Sequence, residues 1–259
     1  MGDGLTAPAW RWAAARAVGS SHLVAGQPCQ DAACARSVDG PAGPVLLAAV
    51  SDGAGSARYA REGSRAVVRG VLREAERHFR DRPEPPDETE LRGWLDAVRA
   101  DIAELAERRA ATPRDFAATL VAVFVTPSAT VFAHVGDGAA VVDAAEGGWE
   151  VGSWPAGGEY AGTTYFVTDK AGPKLATVVL ARTVGAVALF SDGIEHLVLE
   201  ERARRPFAPW FDRMFSVMRD GRSCGRDRVL SRALRGYLRS EEVDARTHDD
   251  KSLILAIRR

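Results

Sequence analysis

The sequence predicts an α+β protein built mainly on antiparallel sheet, and three observations carry that prediction. Val45 to Val50 is an unbroken apolar run that stops at Ser51-Asp52-Gly53. Such a run suits a strand shielded on both faces, because a half-exposed strand alternates polar and apolar residues. After it, Arg58 to Arg80 and Glu90 to Arg109 place apolar residues at spacings of three, four and seven, the stripe of an amphipathic helix. Next, Ala117 to Val125 and Val131 to Val135 flank a Pro127-Ser128 break, an antiparallel hairpin signal.

Taken in order, Trp10 to Val18 reads as a first strand feeding a turn at Gly19-Ser20-Ser21. His22 to Ala32 carries Gly26 and Pro28, which favour an extended or turning backbone over a helix and present Gln30 and Asp31 from it. Cys34 to Val38 continues as strand up to the turn Asp39-Gly40-Pro41, which leads into the run at Val45. Ser56 is placed to cap the first long helix, and Pro83, Pro85 and Pro86 make 82–87 a loop before the second. Past the hairpin, Ala139 to Asp143, Trp149 to Val151, Thr163 to Thr168 and Leu175 to Ala181 are short strand candidates between glycine-rich turns, which together predict a second antiparallel sheet. Val187 to Phe190 reads as strand, and Ile194 to Arg202, Phe207 to Met218 and Arg226 to Leu238 as helices. His248 to Ile257 closes with paired aspartates before an apolar strand.

The chain has 259 residues, 46% hydrophobic and 27% charged, enough to bury a sizeable core as one folded domain. A formal net charge of -1 supplies no field toward nucleic acid or an anionic membrane. Cys29, Cys34 and Cys224 are odd in number and lack metal-binding repeats, so neither a disulfide framework nor a zinc cage is expected, and a reducing cytoplasm fits. Met1 to Ala9 has no leader pattern, and no apolar run approaches the roughly 20 residues of a membrane span.

The chemistry lies in the carboxylates. Asp31, Asp52, Asp137, Asp192 and Asp249 or Asp250 each adjoin an apolar strand-like run, which makes convergence at one end of packed sheets the expectation. Any single Asp-Gly is ordinary turn chemistry. Several uncompensated carboxylates together, however, repel and raise one another's pKa, so the set asks for cations. Oxygen donors alone favour hard ions such as Mg²⁺ or Mn²⁺. A pair of such ions clamps phosphoryl oxygens and acidifies a water, the arrangement that phosphate ester hydrolysis needs.

G-Q-P-C-Q-D-A, S-D-G-A-G-S-A, A-T-L-V-A-V-F-V, V-G-D-G, F-S-D-G-I and D-D-K-S-L-I-L-A, in this order from about Ala15 to Ile257, resemble the successive motifs of the metal-dependent protein phosphatase 2C family, in its divergent bacterial branch. The resemblance implies a four-layer α-β-β-α sandwich: two stacked antiparallel sheets flanked by helix pairs, with a binuclear Mn²⁺ or Mg²⁺ centre at one end. By position, Asp52 would bridge both ions and the Gly53 carbonyl would hold the second, with Gln30 and Asp31 beside it. Asp192 and Asp249 would complete the first, and Asp137 would serve a weaker third. Asp52, Asp192 and Asp249 would thus carry catalysis through a metal-activated bridging water. Thr119 falls in the threonine position of the preceding strand. The implied substrate is a phosphoserine or phosphothreonine protein, either a Ser/Thr kinase or that kinase's targets.

The chain departs from the family pattern at several points. Gln30 stands for a glutamate, Gly26 for the arginine that clasps phosphate, Ala54 for a histidine and Asp250 for an asparagine, and no arginine follows Asp137-Gly138. Arg16, Arg58 and Arg61 are candidates to replace the arginine, while His22 and His248 read as structural hydrogen-bonding residues. The amide at Gln30 motivates an alternative, a catalytically weak pseudophosphatase that binds a phosphoprotein or regulates a kinase. A hydrolase of small phosphate esters is the third reading. Glu200 to Arg246 reads as packed amphipathic helices with solvated arginines.

Overall fold

The computed structural model describes residues 10–154, 164–221 and 223–259. In chain order the elements are β1 (Trp10–Ala17), α1 (Ser20–Val24), β2 (Ala32–Gly40), β3 (Gly43–Ser51), α2 (Ala60–Asp81), α3 (Glu88–Arg108), β4 (Leu120–Val125), β5 (Thr130–Val135), β6 (Ala139–Asp143), β7 (Trp149–Ser153), β8 (Ala176–Leu180) and β9 (Ala186–Phe190). Then follow α4 (Glu195–Val198), β10 (Leu199–Glu200), β11 (Arg205–Pro206), α5 (Ala208–Arg219), β12 (Gly225–Arg226), α6 (Arg228–Leu238), α7 (Glu241–Asp244) and β13 (Lys251–Arg258).

One sheet runs β2-β3-β4-β5-β8 and the other β12-β1-β13-β9-β6-β7. Every pairing in them is antiparallel except β1 with β12. The layers follow from side-chain alternation along each strand. In β3, Val45, Leu47 and Ala49 face a cluster with Val67, Val71, Phe79, Leu95 and Val98 of α2 and α3. Leu46, Ala48 and Val50 face the other sheet, meeting Trp12, Val187 and Ile254. In β1, Ala13, Ala15 and Ala17 point instead toward Phe211, Phe215, Leu234 and Leu238 of α5 and α6. This is the expected α-β-β-α order. It also explains the unbroken apolar run at Val45, since both faces of β3 are covered. Each fully buried leucine there contributes about 2 kcal/mol of transfer free energy.

Four local expectations are corrected. Ser20–Val24 forms a short helix where a turn at Gly19-Ser20-Ser21 and an extended or turning backbone from His22 are expected, because distant groups hold it. The Ser21 amide and hydroxyl donate to the His248 carbonyl (3.1 and 2.6 Å), and Ser20 Oγ lies 2.8 Å from His248 Nδ1. Ser56 does not cap α2; the helix starts after Tyr59, whose amide donates to the Asp115 carbonyl at 2.7 Å. The expected helix 194–202 breaks after Val198, where Leu199–Glu200 pairs with Arg205–Pro206. Thr164 to Thr168 forms no strand, and Thr163 lies outside the described residues. The Val167 amide instead donates to the Ala118 carbonyl, and the carbonyls of Val167 and Asp169 accept from Arg99.

Candidate metal centre

The ends of β3, β5 and β9 meet at one edge of the sandwich, and each delivers an aspartate. Asp52 follows β3 and is fixed to the start of β4 by reciprocal bonds: its amide donates to Thr119 Oγ1 (3.0 Å), and the Thr119 amide donates to its carbonyl (2.8 Å). Asp137 sits in the β5–β6 turn between Gly136 and Gly138, whose φ angles of 96° and 87° are costly for any residue with a Cβ. Its Oδ2 accepts from Thr164 Oγ1 at 2.7 Å, and its carbonyl lies 3.2 Å from His134 Nε2. Asp192 opens the 3₁₀ turn after β9. One oxygen from each of Asp52, Asp137 and Asp192 lies within 4.8 Å of the others.

Asp31 is wholly buried beside them, with Oδ2 accepting from Ser191 Oγ at 2.8 Å. Ser191 Oγ is itself held by the Ser252 amide at 3.0 Å. The neighbouring Gln30 is fixed through its backbone: the amide donates to Asp250 Oδ2 at 2.5 Å, and the carbonyl accepts from Ser64 Oγ. At Gly53 a Cβ would stand 2.5 Å from the Ala60 carbonyl oxygen and 2.9 Å from that of Gln30, so only glycine fits.

Asp249 and Asp250 part company. Asp250 is buried, and its carboxylate accepts from the Gly19 amide (2.7 Å) and the Gln30 amide, with His22 Nδ1 at 2.9 Å. Asp249 stays exposed and outside the close group of three, its Oδ1 taking the Asp250 amide at 2.8 Å. Its charge still reaches the site, for it is among the causes that raise the pKa of Asp52, Asp137 and Asp192. His248 makes the structural hydrogen bond expected of it, with Ser20 Oγ, whereas the buried His22 Nδ1 makes no hydrogen bond and only lies close to Asp250 Oδ2. Thr164 and Ser191, which bond carboxylates, Ser252, whose amide holds Ser191, and Ser64, which holds the Gln30 carbonyl, emerge only in the structure.

Electrostatically the group is overloaded with negative charge. Burial is the largest cause in each case: it pushes Asp31 up to about 6 and Asp192 up to about 8, raises Asp137, and holds Asp52 well above the carboxylate range. Asp52, Asp137 and Asp192 keep some surface open at the mouth, yet protein atoms surround them closely enough for desolvation to lead. The adjoining carboxyls act on each other, Asp52 lowering Asp31 and Asp31 raising Asp52. The charges acting on the four are other carboxylates. Gln30 Oε1, Asp31 Oδ1, Asp137 Oδ1 and Asp192 Oδ1 are buried acceptors without a hydrogen-bond donor. Unsatisfied acceptors of this kind cost about 1–3 kcal/mol each, and an oxygen-only set is what a hard divalent cation takes. The residues therefore fit a metal centre.

Comparisons with known proteins agree with that chemistry. A family model described as Protein phosphatase 2C matches residues 18–239. Serine/threonine-protein phosphatase 3 of Escherichia coli (strain K12) is 32% identical over 251 residues, spanning 96% of this chain and 98% of that protein. Among solved structures, PppA, described as a key regulatory component of T6SS in Pseudomonas aeruginosa, superposes with a TM-score of 0.63 at 19% identity, covering 98% of this chain and 99% of its own. Serine/threonine phosphatase Stp1 from Staphylococcus aureus gives 0.59 at 17% identity, covering 95% and 94%. The two structures speak for the fold, and the sequence matches over nearly the whole chain place this protein in the protein phosphatase 2C family.

Proposed function

We propose that this protein is a metal-dependent serine/threonine protein phosphatase that hydrolyses phosphoserine and phosphothreonine in proteins, opposing a bacterial kinase in the cytoplasm. The observation that carries the reading is the convergence of Asp52, Asp137 and Asp192 within 4.8 Å, with Asp137 Oδ1, Asp192 Oδ1 and the nearby Asp31 Oδ1 buried without a donor. Asp52, Asp192 and Asp249 would hold a first ion, Mn²⁺ or Mg²⁺, and Asp52, the Gly53 carbonyl, Gln30 and Asp31 would supply the donors of a second; Asp137 would serve a weaker third. When bound, the ions supply a clamp for phosphoryl oxygens and acidify the attacking water.

The protein's own part is positioning. The Thr119 bonds anchor the Asp52 backbone at the end of a rigid strand, while Ser191 fixes the Asp31 carboxylate and Thr164 that of Asp137, so these groups are positioned before any ligand arrives. The test is release of phosphate from a phosphothreonine peptide in the presence of Mn²⁺ and after EDTA treatment. Turnover with Mn²⁺ and its loss with EDTA is the expected result; a rate indifferent to metal would overturn the reading.

Gln30 makes a separate prediction. Its neutral Oε1 is buried without a hydrogen-bond donor, and a carboxylate at this position would add a full charge to the donor set. Gln30→Glu should tighten Mn²⁺ binding roughly tenfold, as measured by calorimetric titration, and lower the melting temperature of the metal-free protein. Weaker binding by the variant would show that Gln30 does not face an ion.

A further inference from the structure

Helix α2 carries two kinds of arginine. In its far half, Arg73 meets Glu74 (2.9 Å) and Asp101 (2.8 Å), Arg77 meets Glu74 (2.7 Å), and Arg80 meets Glu76 (3.2 Å). In the half nearest the carboxylates, Arg61, Arg65 and Arg69 have no acidic partner among the described residues. Their spacing of four puts all three on one helix face. Like charges at that spacing cost stability, and the sequence neutralises them in one half of the helix only.

The unneutralised half abuts the site. Ala60 at the helix start closes on Gly53, and Ser64, between Arg61 and Arg65, donates to the Gln30 carbonyl. Arg16 arrives at the same corner from β1 and donates to the Asp31 carbonyl. Arg61, Arg16 and Arg69 all act on the Arg65 guanidinium as cationic neighbours. Eight residues of helix rise about 12 Å, a length that an extended peptide covers in about four residues.

We infer that Arg61, Arg65 and Arg69, with Arg16 at the corner, form an anion-reading strip that selects protein substrates with acidic groups, carboxylate or a second phosphate, within about four residues of the phosphoresidue. This rests on the phosphatase reading and names its substrate class. The strip supplies what a phosphoprotein segment lacks in a carboxylate-lined site: cationic charge beside the place where the phosphoresidue enters.

The test uses phosphothreonine peptides of equal length carrying glutamates, a second phosphoserine or alanines on either side, with the Mn²⁺-supplemented protein. Acidic peptides are expected to show kcat/KM about tenfold above the alanine peptide, carried by KM and collapsing in high salt. The glutamate and phosphoserine arms tell which anion is read. The double variant Arg65→Glu with Arg69→Glu should reverse the preference. Arg77→Glu, the same kind of charge change on the same helix, should keep it. Equal kcat/KM for all peptides, or equal loss of preference in Arg77→Glu, would overturn the inference while leaving the phosphatase reading intact. If no peptide turns over, the phosphatase reading fails, and fluorescence anisotropy with the same peptides in EDTA decides the strip: acidic peptides binding wild type more tightly than the double variant supports it, and equal binding overturns it.

Discussion

Asp52→Asn is expected to lower Mn²⁺-supported kcat/KM on a phosphothreonine peptide by about a thousandfold or more, equivalent to about 4 kcal/mol of transition-state stabilisation, and at the same time to raise the melting temperature of the metal-free protein. The two effects have one origin. Asp52 lies deep among protein atoms beside Asp31 and Asp192, and burial followed by those two charges drives its pKa well above the carboxylate range. Without a cation, its negative form is a net cost to the fold. Asparagine keeps the shape, and its backbone amide still donates to Thr119 Oγ1. Its side-chain amide can also donate to Asp31. Relief of even 1 kcal/mol should raise the melting temperature by about 3 °C in a chain of this length. A merely structural Asp52 predicts the opposite pair: little change in rate and a lower melting temperature. Steady-state kinetics and a thermal scan in EDTA decide between them, since activity bought with strained charge is lost as stability is gained.

The contrast between Asp52 and the Asp249-Asp250 pair shows how far residues alone could go. Asp52 was legible because a strand covered on both faces leaves a long apolar run, and its end is marked by Asp-Gly. The same reading found β5 with Asp137 and β9 with Asp192. Asp249 and Asp250 are adjacent just ahead of β13, and only Asp250 turns inward. The choice is set by the Gly19 and Gln30 amides, more than 200 residues away in the chain. The same distance hid α1, whose serines are tied to His248 and whose helical turn no local pattern announces. Ser191 and Ser252 were silent for another reason: a serine beside Asp-Gly or ahead of a strand looks like turn chemistry, and only packing reveals that Ser191 holds Asp31.

The metal-free protein is expected to lose stability as pH rises from about 4 to 8, and Mn²⁺ should abolish that loss. In the folded chain burial raises Asp31 to about 6 and Asp192 to about 8, with Asp52 shifted in the same direction. In the unfolded chain these groups titrate near 3.9. Between the two values the folded state holds protons that the unfolded state has released, so unfolding becomes easier with every step up in pH. One group works against this. His134, buried between Ser153 Oγ and the Asp137 carbonyl, is lowered by desolvation to about 4. It stays neutral when folded and takes a proton when unfolded, so it adds stability as pH climbs from about 4 to its unfolded value near 6.5. Below 6.5 the histidine offsets part of the carboxylate loss; above it nothing does, and Asp192 and Asp52 set the slope. A bound divalent ion keeps the carboxylates ionised in the folded state and removes the excess protons that cause the slope. Melting temperatures in EDTA should therefore fall across pH 6.5 to 8 and stay level with saturating Mn²⁺, and Asp192→Asn should flatten the EDTA curve. A curve in EDTA that is flat or rising over this range would mean that the carboxylates are already compensated by the protein, and that the cluster needs no cation to exist.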